Sequence, residues 1–315
     1  MSRRLGFLGP AIVLVGVAAS ALGVWWMVHA RSQATDFLDV LALDGESALA
    51  VRREHASNRN FLELRHHSGK VAWQALVPPY AGRPGSPGLA ASRTAASVRV
   101  VRDERAEVFG LAMRNAAKLG GLKLAQQRPR DPAGFTLPAA VTLHDGLASY
   151  ELVGGRGADP WAYLASIDLE TGRERWHVDL GTAPITGAGL VDGSLWLRQG
   201  ASVRVLSTAD GSAQTGAVAQ AAQQAAQAQA QAEATPGVRI LTDSPALRVV
   251  FDRAARALQI QRGGRAPTTL PWPPGALEPW PYHLAGGRLW VVFPDHLQTL
   301  VVDETAPVGA TLARP

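Results

Sequence analysis

From about residue 40 onward the apolar positions fall in short alternating runs, as in Leu164 to Leu169 and Val203 to Leu206. That period of two marks half-buried strands. The runs come in pairs around glycine. YLASIDLETGRERWHVDL, residues 163–180, reads as a strand, an acidic turn closed by Gly172 and a strand bearing Trp176. FLELRHHSGKVAWQALV, residues 61–77, puts Gly69 and Trp73 at the same spacing, each tryptophan four residues after its glycine. Weaker copies begin at Val108, Val203, Ala257 and Leu297, so that starts recur every 40 to 55 residues. A second anchor keeps the same register: Gly193-Ser194-Leu195-Trp196 lies ten residues before Val203, and Gly287-Arg288-Leu289-Trp290 lies ten before Leu297. Extended segments at 48–51, 98–101, 147–152 and 247–251 stand before the other copies and are expected to pair with them as antiparallel hairpins. A period of this length suits four-stranded units whose two apolar faces are covered only by stacking. The expected fold is all-β, a propeller of about six blades, within a range of six to eight. The units fall near 40–84, 90–130, 138–185, 186–235, 238–275 and 280–315.

The repeat gives its conspicuous residues structural work. Trp73, Trp176, Trp196 and Trp290 are expected to pack between blades, and Gly69 and Gly172 to close turns. Asp168, Glu170, Asp210, Asp303 and Glu304 share the turn position, where a carboxylate accepts backbone hydrogen bonds. Adjacent residues on a strand point to opposite faces, so His66 and His67 read as solvated turn residues rather than a metal pair. The other histidines are scattered singly, and no HExxH, GxSxG, phosphate-binding or dinucleotide-binding motif is present. No catalytic, cofactor-binding or metal-binding residue is therefore assigned.

Three stretches break the pattern. VPPYAGRPGSPG, residues 77–88, reads as a connector, and GGRGADPWA, residues 154–162, as a lengthened hairpin. The low-complexity Ala/Gln run at 217–234 reads as a helical insertion at the end of the fourth unit, with one branched residue, Val218, and no aromatic one with which to dock. Trp161, Trp272 and Trp280 lie outside the repeat positions, the last two among prolines. They form an interaction rim or cap the end of the core.

The N-terminus changes the setting. Residues 5–30 carry no Asp, Glu, Lys or Arg, enough helix to cross a bilayer. The reading is a transmembrane anchor, with an uncleaved or cleaved signal as the competitor. Arg3 and Arg4 precede it, which puts residues 1–4 in the cytoplasm, a linker at 31–39 and the propeller, 40–315, in the periplasm or outside. The chain has 47% hydrophobic residues and no cysteine, so it buries a large core without disulfides or thiolate metal sites. A formal charge of +5 is spread along the chain with no nucleic-acid-binding motif, so nucleic acid is not an expected partner.

IDLETGRERW at 167–176 and HSGKVAW at 67–73 resemble the pyrroloquinoline-quinone-like (PQQ-like) β-propeller repeat, with Asp168, Thr171, Gly172 and Trp176 matching its pattern. The family includes quinoprotein dehydrogenases and non-enzymatic propellers, so the resemblance implies fold more than function. A quinoprotein would have a longer chain, vicinal cysteines and a Ca²⁺ site. Neither PQQ nor Ca²⁺ is expected here. The resulting expectation is a non-catalytic interaction or scaffolding module, anchored in the inner membrane through residues 5–30, with protein partners in the bacterial envelope. The alternative is a quinoprotein-like enzyme or a small-ligand binder using the central channel.

Overall fold

The computed structural model describes residues 35–82, 88–102, 105–124, 141–155, 161–183, 185–234, 237–244 and 246–302. The anchor at 5–30 and the acidic pair Asp303 and Glu304 lie outside them. Among the described residues no helix is long and apolar enough to cross a membrane.

The chain forms six antiparallel sheets in sequence order, each a simple meander from the inside of a ring outward. Blade 1 is β1 (Thr35–Ala42), β2 (Ser47–Glu54), β3 (Arg59–His66) and β4 (Val71–Val77). Blade 2 is β5 (Leu89–Ala91), β6 (Ala95–Arg102), β7 (Arg105–Ala112) and β8 (Lys118–Lys123). Blade 3 is β9 (Val141–His144), β10 (Ala148–Gly155), β11 (Trp161–Asp168) and β12 (Glu174–Gly181). Blade 4 is β13 (Ile185–Val191), β14 (Ser194–Gln199) and β15 (Ser202–Ser207). Blade 5 is β16 (Val238–Asp243), β17 (Leu247–Asp252), β18 (Ala257–Arg262) and β19 (Thr268–Pro271), and blade 6 is β20 (Leu284–Ala285), β21 (Arg288–Val292) and β22 (Leu297–Val301). The result is a six-bladed β-propeller. Its first strand starts at Thr35, inside the stretch expected as a linker.

The strands sit where the alternation placed them. Every expected hairpin forms, from β2 on β3 to β21 on β22. The middle strands of each blade are buried on both faces, as Leu49, Val51, Leu62, Val98, Leu164, Leu195 and Leu197 attest, whereas outer strands such as β4 and β12 alternate. A blade therefore presents two apolar faces, and its neighbours cover them.

The ring closes between its first and last blades. Phe37, Val40, Ala48 and Ala50 of blade 1 share an apolar cluster with Trp290, Val292 and Leu297 of blade 6. The Phe37 amide donates to the Pro294 carbonyl at 2.8 Å, and the Arg288 Nε donates to the Gly45 carbonyl.

Blade 4 departs from the plan. Its outer edge is reduced to a single bridge between Leu206 and Ala213, after which the chain enters helix α1 (Gly216–Ala234). The helix is not a loose insertion. Ala219, Ala222 and Ala226, at i, i+3 and i+7, are buried against Trp196 and Val205. The expectation that it lacks docking residues is wrong because small side chains let a helix approach a flat tryptophan closely. Trp290, which holds the same place in blade 6, packs on the next blade. In blade 4 that face meets α1, which also touches β16 of blade 5, so the helix is a wedge between blades.

Ala222→Leu is expected to overpack this wedge and destabilise the protein by about 1–3 kcal/mol. The same change at exposed Ala228 is expected to be neutral. Thermal unfolding of both variants checks the pair.

Candidate functional site

The repeat residues form the joints between blades. The Trp176 Nε1 donates to the Thr208 carbonyl of blade 4 at 3.1 Å, and the Trp73 Nε1 donates to the Met113 carbonyl of blade 2. Thr208 and Met113 each follow directly on the third strand of the next blade, so the two bonds are equivalent. Gly211, at φ +75°, lies flat under the Trp176 ring, where a Cβ would come within 2.7 Å. Asp168 Oδ1 accepts from the Thr171 amide at 2.7 Å and its hydroxyl at 2.8 Å, and Gly172 completes the turn at φ +66°. The Thr171 amide foremost holds the Asp168 carboxyl below its usual range. Asp210 holds Ser212 in the same way, while Glu170 accepts from Thr94 of blade 2 at 2.6 Å.

The structure decides one open alternative and changes one expectation about side-chain placement. Trp272 is 4% exposed, packed edge-on to Phe251 and donating to the Leu277 carbonyl, so it caps the core and offers no rim. His66 and His67 do not diverge: the ladder ends at His66, the chain turns, and the two rings lie 4.2 Å apart beside Glu46. Trp280 is half-buried, with the Arg239 guanidinium 3.3 Å from its ring centroid. The side chain of Trp161 lies outside the described residues.

The 3-10 turn Pro281–His283 packs against β16, β21 and β1, and Tyr282 reaches from it to the apolar cluster shared by blades 1 and 2. His283 is buried, which, with Arg239 nearby, pushes its imidazole down to about 3 and keeps it neutral.

Single charges inside apolar strands build a buried polar track through blades 1 to 3 that motif reading missed. Asp39 on β1 accepts from the Tyr80 hydroxyl, which in turn accepts from the Gly88 amide at 2.8 Å. A Cβ at Gly82 or Gly88 would run into the Tyr80 ring. Beyond Gly88, the Arg99 Nε of β6 donates to Glu151 Oε2 of β10 at 2.8 Å, and the Thr142 hydroxyl donates to the same oxygen at 2.8 Å. Arg99 and Glu151 are each 1% exposed. The signal was present in the sequence as one charge in each of FLDVLAL, SVRVV and SYELV.

At the seam of blades 1 and 2, beside Asn58 of the β2–β3 turn and the end of β6, lies a groove of about 560 Å³. Leu76, Val77, Pro78, Pro79 and Phe109 give it an apolar floor, and Arg59 and Arg102 flank it. Leu76, on the outer strand β4, is 58% exposed and continues the apolar floor to the surface. Arg59 has no acidic partner among the described residues.

No protein-family model matches the sequence, and no curated protein matches it. Solved structures similar to it include BamB from Moraxella catarrhalis, at 10% identity over 84% of each chain with a TM-score of 0.35. The β-propeller domain of the Trilobed protease from Pyrococcus furiosus is 8% identical over 90% of this chain and 85% of its own, at 0.40. The quinohemoprotein alcohol dehydrogenase ADHIIG from Pseudomonas putida HK5 is 12% identical, at 0.38, and this chain spans 50% of it. The fold assignment rests on the strand order and ring closure above.

Two outcomes test the buried track. Removing one partner of the Arg99–Glu151 pair, as in Glu151→Gln, is expected to cost about 3–5 kcal/mol, while Arg99→Met with Glu151→Leu is expected to restore much of it. Chemical denaturation of both variants checks this. Burial raises the Asp39 carboxyl from 3.8 to about 7, against the opposing bonds from Tyr80, Val40 and Gly88. The folded state therefore holds this proton where the unfolded chain has lost it. Stability contributed by Asp39 is full below about pH 4 and falls, by at most about 4 kcal/mol, as pH rises to about 7. Asp39→Asn is expected to abolish that slope in melting temperatures measured from pH 4 to 8.

Proposed function

We propose that this protein is a non-catalytic PQQ-like propeller that binds another protein in the bacterial envelope, held at the inner membrane by residues 5–30 with its ring outside the cytoplasm. The observation that carries the reading is the groove between blades 1 and 2. Its exposed Leu76, proline-lined floor and flanking Arg59 and Arg102 suit an extended partner segment with apolar and acidic side chains. A rigid ring holds such a groove in shape, so that little ordering is needed on binding.

Neither PQQ nor Ca²⁺ is part of this reading. Among the described residues, the buried carboxylates Asp39 and Glu151 are engaged by Tyr80 and Arg99, and Tyr282 reaches from blade 6 to the cluster of blades 1 and 2.

A photo-crosslinking side chain placed at position 76 in cells is expected to give a discrete protein adduct. The adduct is expected to be lost when Arg59→Glu and Arg102→Glu are added. Absence of an adduct, or the same adduct from exposed position 224 on α1, would overturn the reading. Protease accessibility in spheroplasts, with a cytoplasmic protein as control, tests the placement of the ring outside the cytoplasm.

A further inference from the structure

On the face opposite the groove, two turns of blade 1 bring three donor side chains together. The β1–β2 turn carries Glu46 and the β3–β4 turn carries His66 and His67. Both turns are fixed by their backbones. Asp44 Oδ1 accepts from the Glu46 and Ser47 amides at 2.7 and 2.6 Å, and the His67 amide donates to the Glu46 carbonyl at 2.8 Å. The geometry points to a site for a divalent transition metal of the Zn²⁺ class, with His66 Nε2, His67 Nδ1 and Glu46 Oε2 as donors.

Glu46 Oε2 lies 2.8 Å from His67 Nδ1 and 3.2 Å from His66 Nε2, and one ligand atom from each residue falls within 4.8 Å of the others. Donors about 2.0–2.2 Å from a tetrahedral ion stand roughly 3.3 Å apart, so small side-chain rotations complete the set. His67 Nδ1 is shut off from solvent and has no hydrogen bond, its contact with Glu46 being close but out of line. A cation among the three donors would satisfy it. His66 Nδ1 meets the Ser68 hydroxyl at 2.9 Å and the Ser68 amide at 3.3 Å; ligation through Nε2 places the ring proton on Nδ1, where the hydroxyl accepts it and the amide contact is given up. Two imidazoles and a carboxylate favour Zn²⁺ or its neighbours over Ca²⁺ or Mg²⁺. Glu46 and His66 are 61% and 42% exposed in their side chains, which leaves a fourth position open to water. Arg288 Nη2, 3.8 Å from Glu46 Oε1, opposes the cation and weakens the site without occupying the ligating oxygen.

The test is titration of the full-length, tag-free chain with Co²⁺, read by visible absorption, and with Zn²⁺, read by calorimetry. One ion per chain is expected. Glu46→Gln and His67→Ala are each expected to weaken binding at least about tenfold. Zn²⁺ is expected to raise the melting temperature of the parent and of neither variant. The residues are surface groups, and circular dichroism verifies that the variants fold. Three results would overturn the assignment: no saturable binding, binding unchanged in His67→Ala, or binding lost instead from His177→Ala, whose imidazole pairs with Glu174 elsewhere. The first would leave an ordinary carboxylate–imidazole ion pair. The groove lies on the opposite face, so these results bear on the metal alone.

Discussion

A four-stranded blade has two apolar faces and no means of covering either by itself. Everything else in this molecule follows from the need to give each face a neighbour, and therefore from closing the ring. The closing seam carries Trp290 against Phe37, Val40 and Ala50, a cluster in which loss of the tryptophan alone would cost about 3–5 kcal/mol. The same demand explains the repeat. Trp73 and Trp176 bind the carbonyl just after the third strand of the following blade, so each blade is registered on the next by one directional bond set in a non-directional apolar contact. Apolar burial alone would permit neighbouring sheets to slide; the indole bond fixes one offset.

Where the repeat fails, other devices fill the same role. In blade 4 a stripe of alanines on α1 covers Trp196, the face that a neighbouring blade would otherwise cover. Between blades 1, 2 and 3 part of the interface is polar, with Asp39, Tyr80, Arg99, Thr142 and Glu151 linked across the strands. Such a track adds little net stability compared with an apolar core, because desolvation offsets the attraction. Its members punish misalignment, since any shift leaves a charge buried without a partner. A blade with worn repeat residues can hold its place in this way.

The sequence made this architecture legible because alternation and turn chemistry are local. Asp168, Thr171 and Gly172 form the turn their spacing requires, and the tryptophan anchors lie in equivalent strands. The sequence left Trp272 open between rim and cap, since burial of a proline-flanked tryptophan depends on what lies above it; the convergence of His66 and His67 was not legible, since the direction of a side chain at a strand end depends on the next turn. The polar track was half legible. Asp39, Arg99 and Glu151 each stood out as a charge in an apolar strand, but only the ring's curvature brings residues 52 positions apart, such as Arg99 and Glu151, into contact. The alanine stripe escaped because low complexity was read as a lack of docking residues, whereas a helix facing a flat ring needs no large side chain.

Blade 1 is the point where these constraints meet. One of its faces closes the ring on blade 6, and the other borders the groove with blade 2. Its turns on the far side carry Glu46, His66 and His67. Arg288 of blade 6 touches this turn twice, through the Gly45 carbonyl and the Glu46 carboxylate. A charge change at Glu46 therefore acts on the closing seam directly, while the groove, across the full height of the blade, feels it only through strands β2 to β4. Those strands are paired along nearly their whole length, and β2 and β3 are buried at their centre, which makes them stiff. A ring built this way separates its two faces: one can gain or lose a ligand while the other keeps its shape.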